Sequence, residues 1–229
     1  MGLKVDLEKI ESLEISIIKV LVLLRESQRA DIALESIEVF LKVCPAFSEL
    51  FKKMRVEKAA TLLLLNQYAE AELIYKDIVR KEPERLDILG NLAMSLLKQK
   101  KFFQALFYLE KALSISPLNH ILLNHKGTIY HELTIYDKAL FFYQRSLELN
   151  ISANAMVNVA VINTELKHFK VAEKLYEECI RVFPGHKLAK CNYAALLLLQ
   201  RKQLKLAWEL YETRLEHPSP TVDLPTGIP

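Results

Sequence analysis

Two stretches decide the fold: Phe102-Phe-Gln-Ala-Leu-Phe-Tyr-Leu-Glu-Lys-Ala-Leu-Ser-Ile-Ser-Pro117 and Tyr136-Asp-Lys-Ala-Leu-Phe-Phe-Tyr-Gln-Arg-Ser-Leu-Glu-Leu-Asn-Ile151. Laid over one another, they set Ala105 on Ala139 and Leu109 on Tyr143. Working outward, the same small-then-bulky pair recurs as Ala33/Ile37, Ala71/Tyr75, Ala172/Tyr176 and Ala207/Tyr211, with alanine spacings of 38, 34, 34, 33 and 35. Twelve residues after most of these alanines stands a proline, at Pro45, Pro83, Pro117 and Pro184; Ile151 takes that place in the fourth unit, and Pro218 follows Ala207 by eleven. Self-similarity at a fixed period of this size marks a repeat architecture. Alanine lets two helices approach closely, and the bulky residue one turn later fills the gap against a neighbour. Proline lacks a backbone donor and fixes φ, so it ends one helix and can open the next.

The first half of each period is helical in rhythm as well. Leu89, Leu92, Ala93 and Leu96 make one stripe, and Met156, Val159 and Ala160 another. Leu123, Gly127 and Tyr130 make a third, in which Lys126 breaks the pattern. These are amphipathic-helix spacings, not strand alternation. Short polar turns such as Lys98-Gln-Lys-Lys101 and Glu165-Leu-Lys-His168 separate the halves. The expected organisation is a lead-in over 1–13, hairpins over 14–47, 52–85, 86–119, 120–152, 153–186 and 187–217, and a Pro-rich tail over 218–229. The sixth hairpin carries one extra residue in its turn. An ordinary helical bundle would not hold the period through four successive units.

In its period and in its Ala, aromatic and Pro positions, the chain resembles the tetratricopeptide repeat family over roughly residues 14 to 217. The resemblance implies an all-α, right-handed α-solenoid of about six TPR helical hairpins. The RNA-reading pentatricopeptide type is disfavoured by the recurring Ala/Tyr pairs and the small net charge. The family also implies a concave face built from the first helix of each hairpin. Positions expected to line it are mostly apolar or small: Val56, Ala60 and Leu63, Met94 and Leu97, Val157 and Val161, Ala195 and Leu198. The fourth repeat is more polar there, with Asn124, Thr128 and His131.

One further groove position reads Asn91, His125, Asn158 and Asn192 in repeats three to six. An asparagine amide both donates and accepts, so it can pair with an extended peptide backbone whatever its side chains. The row resembles the asparagine ladder in the tetratricopeptide segment of O-linked N-acetylglucosamine transferase, interrupted by His125. The same asparagines could equally cap or bridge neighbouring hairpins. The carboxylate clamp that other family members use for acidic chaperone tails is not matched, because its lysine and asparagine positions hold Val56 and Ala60, Gly90 and Met94, Asn124 and Thr128. A groove this apolar suits an amphipathic helix or a hydrophobic segment.

Composition narrows the function classes. The 31 basic and 28 acidic residues are interspersed, whereas a nucleic-acid binder shows a basic stripe. The basic clusters at Lys98, Lys100 and Lys101 and at Arg201 and Lys202 read as solvated turns. Cys44, Cys179 and Cys191 are neither a disulfide framework nor a close-spaced metal pair, which fits a reducing, cytoplasmic setting. The apolar run from Ile15 to Leu24 is interrupted by Ser16 and Lys19 and is too short to span a bilayer. No phosphate loop, dinucleotide fingerprint or nucleophile elbow occurs. The scattered histidines suggest no carboxylate partner, so neither a catalytic residue, a cofactor nor a metal is expected.

The last repeat ends Ala207-Trp-Glu-Leu-Tyr-Glu-Thr-Arg214-Leu. It resembles the final repeat of bacterial proteins in which tetratricopeptide repeats precede a glycosyltransferase domain, with Ala207 in place of a glycine and Thr213 in place of a tryptophan. The expected function is a protein-interaction scaffold holding a peptide or amphipathic helix. The alternative is the substrate-recognition arm of a larger bacterial glycosyltransferase, of which this chain would be a fragment. Self-association through uncapped terminal repeats is a further expectation, because a solenoid end leaves apolar surface wet.

Overall fold

The computed structural model describes residues 7–26, 29–43, 45 and 48–213. The tail 218–229 and Cys44 lie outside them. The described residues fold into twelve helices and no strand: α1 Leu7–Glu26, α2 Ala30–Val43, α3 Glu49–Leu64, α4 Tyr68–Lys81, α5 Leu86–Lys98, α6 Phe102–Ile115, α7 His120–Glu132, α8 Tyr136–Leu149, α9 Ala153–Glu165, α10 Phe169–Val182, α11 Lys187–Leu199 and α12 Leu204–Glu212. Consecutive helices pair into hairpins, as the period requires. Leu7 already belongs to α1, inside the stretch read as a lead-in.

Local chemistry sets the helix ends. Ser48, Asn119 and Ser152 cap α3, α7 and α9, each accepting from a backbone N–H of the first turn. His186 caps α11 in the same way, through Nδ1 to the Ala189 N–H at 3.2 Å. At the other end, the first helix of five hairpins closes on a residue with positive φ: Asn66, Lys100, Thr134, Lys167 and Arg201, between 53° and 61°. The next N–H then reaches back five residues, as from Gln67 to the Leu62 carbonyl at 2.9 Å and from Ile135 to that of Tyr130 at 2.9 Å. This is a Schellman closure built without glycine. The extra residue of the sixth hairpin leaves Gln203 at positive φ as well, giving that turn two left-handed residues.

The chain divides into two compact units, residues 1–117 and 118–229. In the first unit α3 touches α5, and in the second α7 touches α9 and α9 touches α11, so first helices lie side by side. The recurring alanines carry this packing. Ala33, Ala71, Ala105, Ala139, Ala172 and Ala207 are fully buried, as are their partners Ile37, Tyr75, Leu109 and Tyr143, with Tyr176 nearly so. Burying side chains of that size stabilises the fold by roughly 1.5–3 kcal/mol each. Gly127 is small for a reason. A Cβ there would sit 2.6 Å from ring carbons of Tyr143. Lys126, the break in the α7 stripe, is buried with its Nζ 4.5 Å above the Phe142 ring centroid, which accommodates the cation on an aromatic face.

Polar contacts between successive hairpins recur in both units. In the first, Glu72 on α4 is only 6% exposed. It accepts from Lys76 at 2.5 Å, Gln99 at 2.7 Å and Lys101 at 2.8 Å. In the second, Glu173 on α10 accepts from Gln200 at 2.6 Å and Lys202 at 3.3 Å. Both acids follow the repeat alanine, and both partners come from the next hairpin's turn. Where Leu140 takes the acid's place, Leu166 of the following turn joins it in the cluster of Ala139, Tyr143, Val159 and Ile162.

Candidate functional site

The second unit gathers most of the residues expected to line a groove. α7, α9 and α11 bring Asn124 and His125, Asn158 and Val161, and Asn192 onto neighbouring first helices. Asn158 donates its amide to Asn124 Oδ1 at 3.2 Å, so these two asparagines bridge adjacent hairpins. A second bridge runs between His186 Nε2 and Asn154 Oδ1 at 3.1 Å. Val161 and Asn192 meet in a cavity of about 370 Å³, together with Thr164, Ala195, Leu196 and Leu199. Its inner wall is apolar, and Leu199 at its rim is 65% exposed.

A carboxylate stands on the same rim. Glu165 lines the cavity, and its Oε2 lies 2.9 Å from His131 Nε2. The sequence suggests no carboxylate partner for any histidine, and this pair corrects that. A signal for it does exist: residues 131 and 165 are one 34-residue period apart, as are Asn124 and Asn158. Stacking first helices at that period brings such residues face to face.

His125 behaves differently. Burial pushes its pKa down to about 4, and its Nδ1 is buried without a hydrogen-bond partner. Its imidazole is neutral at neutral pH and stands in the asparagine row without an amide's paired donor and acceptor.

In the first unit, Val56 joins Phe51, Arg55, Ile78, Lys81 and Arg85 in a separate cavity of about 420 Å³. Its cations are already engaged: Arg55 and Lys81 with Asp77 at 2.7 and 3.3 Å, and Arg85 with Asp87 at 3.0 Å. Leu63, Asn91 and Met94 are half-buried on α3 and α5 and line neither cavity. The residues missed in the sequence are the acids Glu72, buried, and Glu173, half-buried, with Lys101 and Lys202 as partners rather than wholly solvated turn lysines. Among the described residues no group of three or more His, Cys, Asp or Glu is placed to hold a metal ion, and no helix is long and apolar enough to cross a membrane.

The tetratricopeptide repeat profile matches residues 86–117 and 121–150, which are the hairpins α5–α6 and α7–α8. These two segments are tetratricopeptide repeats. Among curated proteins, the chain is 30% identical over 156 residues to protein O-mannosyl-transferase TMTC1 of Mus musculus, covering 66% of this chain and 17% of that protein. It is 26% identical over 127 residues to BBSome complex member BBS4 of Bos taurus, covering 55% of this chain and 24% of that one. The chain thus spans less than a quarter of either relative's length. Among solved structures, a thermophilic TPR protein of Thermus thermophilus matches with a TM-score of 0.72 at 22% identity, covering 81% of this chain and 99% of that one. The Cut9–Hcn1 hetero-tetramer of the APC/C matches with a TM-score of 0.70 at 15% identity, covering 91% of this chain and 41% of that one. At these identities the structural likeness shows the all-α repeat fold. Tetratricopeptide repeats in general serve as protein-interaction scaffolds.

Proposed function

We propose that the chain holds a peptide or amphipathic helix of a partner protein on the first-helix face of its second unit. The observation that carries this reading is the cavity between α9 and α11. It offers an apolar wall of Val161, Ala195 and Leu199 beside the amide of Asn192. That combination accepts an apolar side chain while leaving a donor and an acceptor for the peptide backbone. The Asn124–Asn158 bridge keeps α7 and α9 in register next to it.

The test begins with a phage-displayed peptide library selected against the whole chain. Selected peptides should carry a spaced apolar consensus and lose binding to Ala195→Asp, which changes an exposed position and leaves the helical circular dichroism intact. Peptides that bind Ala195→Asp as tightly as the parent would overturn the proposal.

A second reading is favoured by the match to a segment of an O-mannosyl-transferase. Here the repeats act as an accessory arm of a larger glycosyl-transferring protein. The coding sequence around this segment decides it. A frame continuous with a sugar-transferase domain supports the arm, and a frame without one rejects it.

A further inference from the structure

A third cavity, of about 480 Å³, opens at the turn end of the fifth and sixth hairpins and shares no lining residue with the α9–α11 cavity. Lys167, His168 and Lys170 line it from one turn and Lys202 from the next, around Phe169 and Val171. Segments 167–172 and 200–205 hold Lys167, Lys170, Arg201, Lys202 and Lys205 and no Asp or Glu, in a chain that otherwise nearly balances 31 basic with 28 acidic residues. Lys202 shares Glu173 at 3.3 Å, while Lys167, Lys170 and Arg201 form no ion pair among the described residues. Like charges held around one concavity raise its potential, and low-dielectric walls focus it. The apolar part is open too, with Val171 49% exposed.

We propose that this turn-end patch docks an acidic peptide segment of a partner protein. Its carboxylates pair with Lys167, Lys170 and Arg201, and an apolar side chain rests on Phe169 and Val171. The patch is too short for nucleic acid, which needs a basic stripe along the backbone. The preceding turn of the same unit, Leu133-Thr134-Ile135, is uncharged and ends it. A concavity with an apolar floor also fits a side chain better than the plane of a bilayer. Turn-end docking differs from the groove reading in both place and chemistry, so each stands or falls alone.

The experiment is fluorescence anisotropy on the whole chain with a fluorescein-labelled peptide of about twelve residues, glutamates flanking a central Leu-Phe, in about 50 mM salt. Comparison probes are the same peptide with Gln for Glu, an oligouridylate of equal length, and phosphatidylserine vesicles. The acidic peptide should bind best. Its affinity should fall about tenfold or more in the exposed variant Lys167→Glu/Lys170→Glu/Arg201→Glu and in about 300 mM salt. Val171→Asp should weaken it as well, which keeps the test decisive where the triple variant loses its helical signal. Stronger binding of the oligouridylate or the vesicles, absence of acidic-peptide binding, or indifference to both variants would overturn the proposal.

Discussion

Replacing Glu72 with glutamine tests whether a buried carboxylate joins successive hairpins of the first unit. Burial alone would push this carboxyl group's pKa up, but hydrogen bonds from Lys101, Lys76 and Gln99 outweigh that and hold it at about 2, against an ordinary 4.5. Because the folded-state value is depressed, the charged form contributes stability above pH 4.5 that is lost as pH falls toward 2. At about 1.4 kcal/mol per pH unit, the full contribution at neutral pH is on the order of 3 kcal/mol. Roughly half should remain near pH 3. Glutamine keeps the shape and one acceptor but removes the charge. Urea unfolding followed by circular dichroism at pH 7, 5, 4 and 3 compares parent and variant, and the carboxylates common to both cancel in the difference. The expected pattern is a gap of about 2–3 kcal/mol at pH 7 that narrows steadily below pH 4.5. A variant as stable as the parent at pH 7, or a gap that does not change with pH, would refute the reasoning.

Other substitutions probe separate features. Gly127→Ala forces a Cβ to within 2.6 Å of the Tyr143 ring, in a site where that ring is fully buried. It should cost about 1–3 kcal/mol in thermal unfolding, and Tyr143→Leu in the same chain should recover part of the loss. Thr134→Gly relieves a β-branched residue at φ 58° and should raise the unfolding free energy from urea denaturation by about 1 kcal/mol, after the entropy of an added glycine is discounted. His125→Gln removes a group whose folded pKa of about 4 lies below the ordinary 6.5. The parent therefore loses stability as pH falls from 6.5 toward 4, and the variant should gain on it by up to about 3 kcal/mol across that window, as read by urea unfolding at several pH values.

The fold was legible because one physical requirement recurs at one period. Each hairpin needs a small residue at its crossing and a bulky one beside it, and Ala105/Leu109 and Ala139/Tyr143 show this without any neighbour in view. Turns and prolines punctuate the same period, which is what sets the expected hairpin boundaries. The candidate site was only partly legible. The family's repeat positions put Val161, Asn192 and Ala195 on one expected face, but a single helix does not show that Thr164 and Leu199 close around them. Contacts such as His131–Glu165 belong to the offset between helices, so they become visible only when residues one period apart are compared. Nothing in the sequence sets Glu72 apart from other acids, because its burial depends on Gln99 and Lys101 arriving from the following turn.

The Glu72–Gln99–Lys101 and Glu173–Gln200–Lys202 contacts have equal sequence separations, 27 and 29 residues from acid to amide and from acid to ammonium. A leucine in the acid's place is answered by a leucine instead. The hairpins therefore carry a grammar of succession: an acid-bearing unit accepts a Gln-x-Lys turn after it, and a leucine-bearing unit accepts an apolar one. Gene shuffling that joins repeat two directly to repeat six would respect that grammar, whereas joining repeat two to repeat five would strand a buried carboxylate against leucine. Such joints show where an ancestral array could be lengthened or shortened without losing its order.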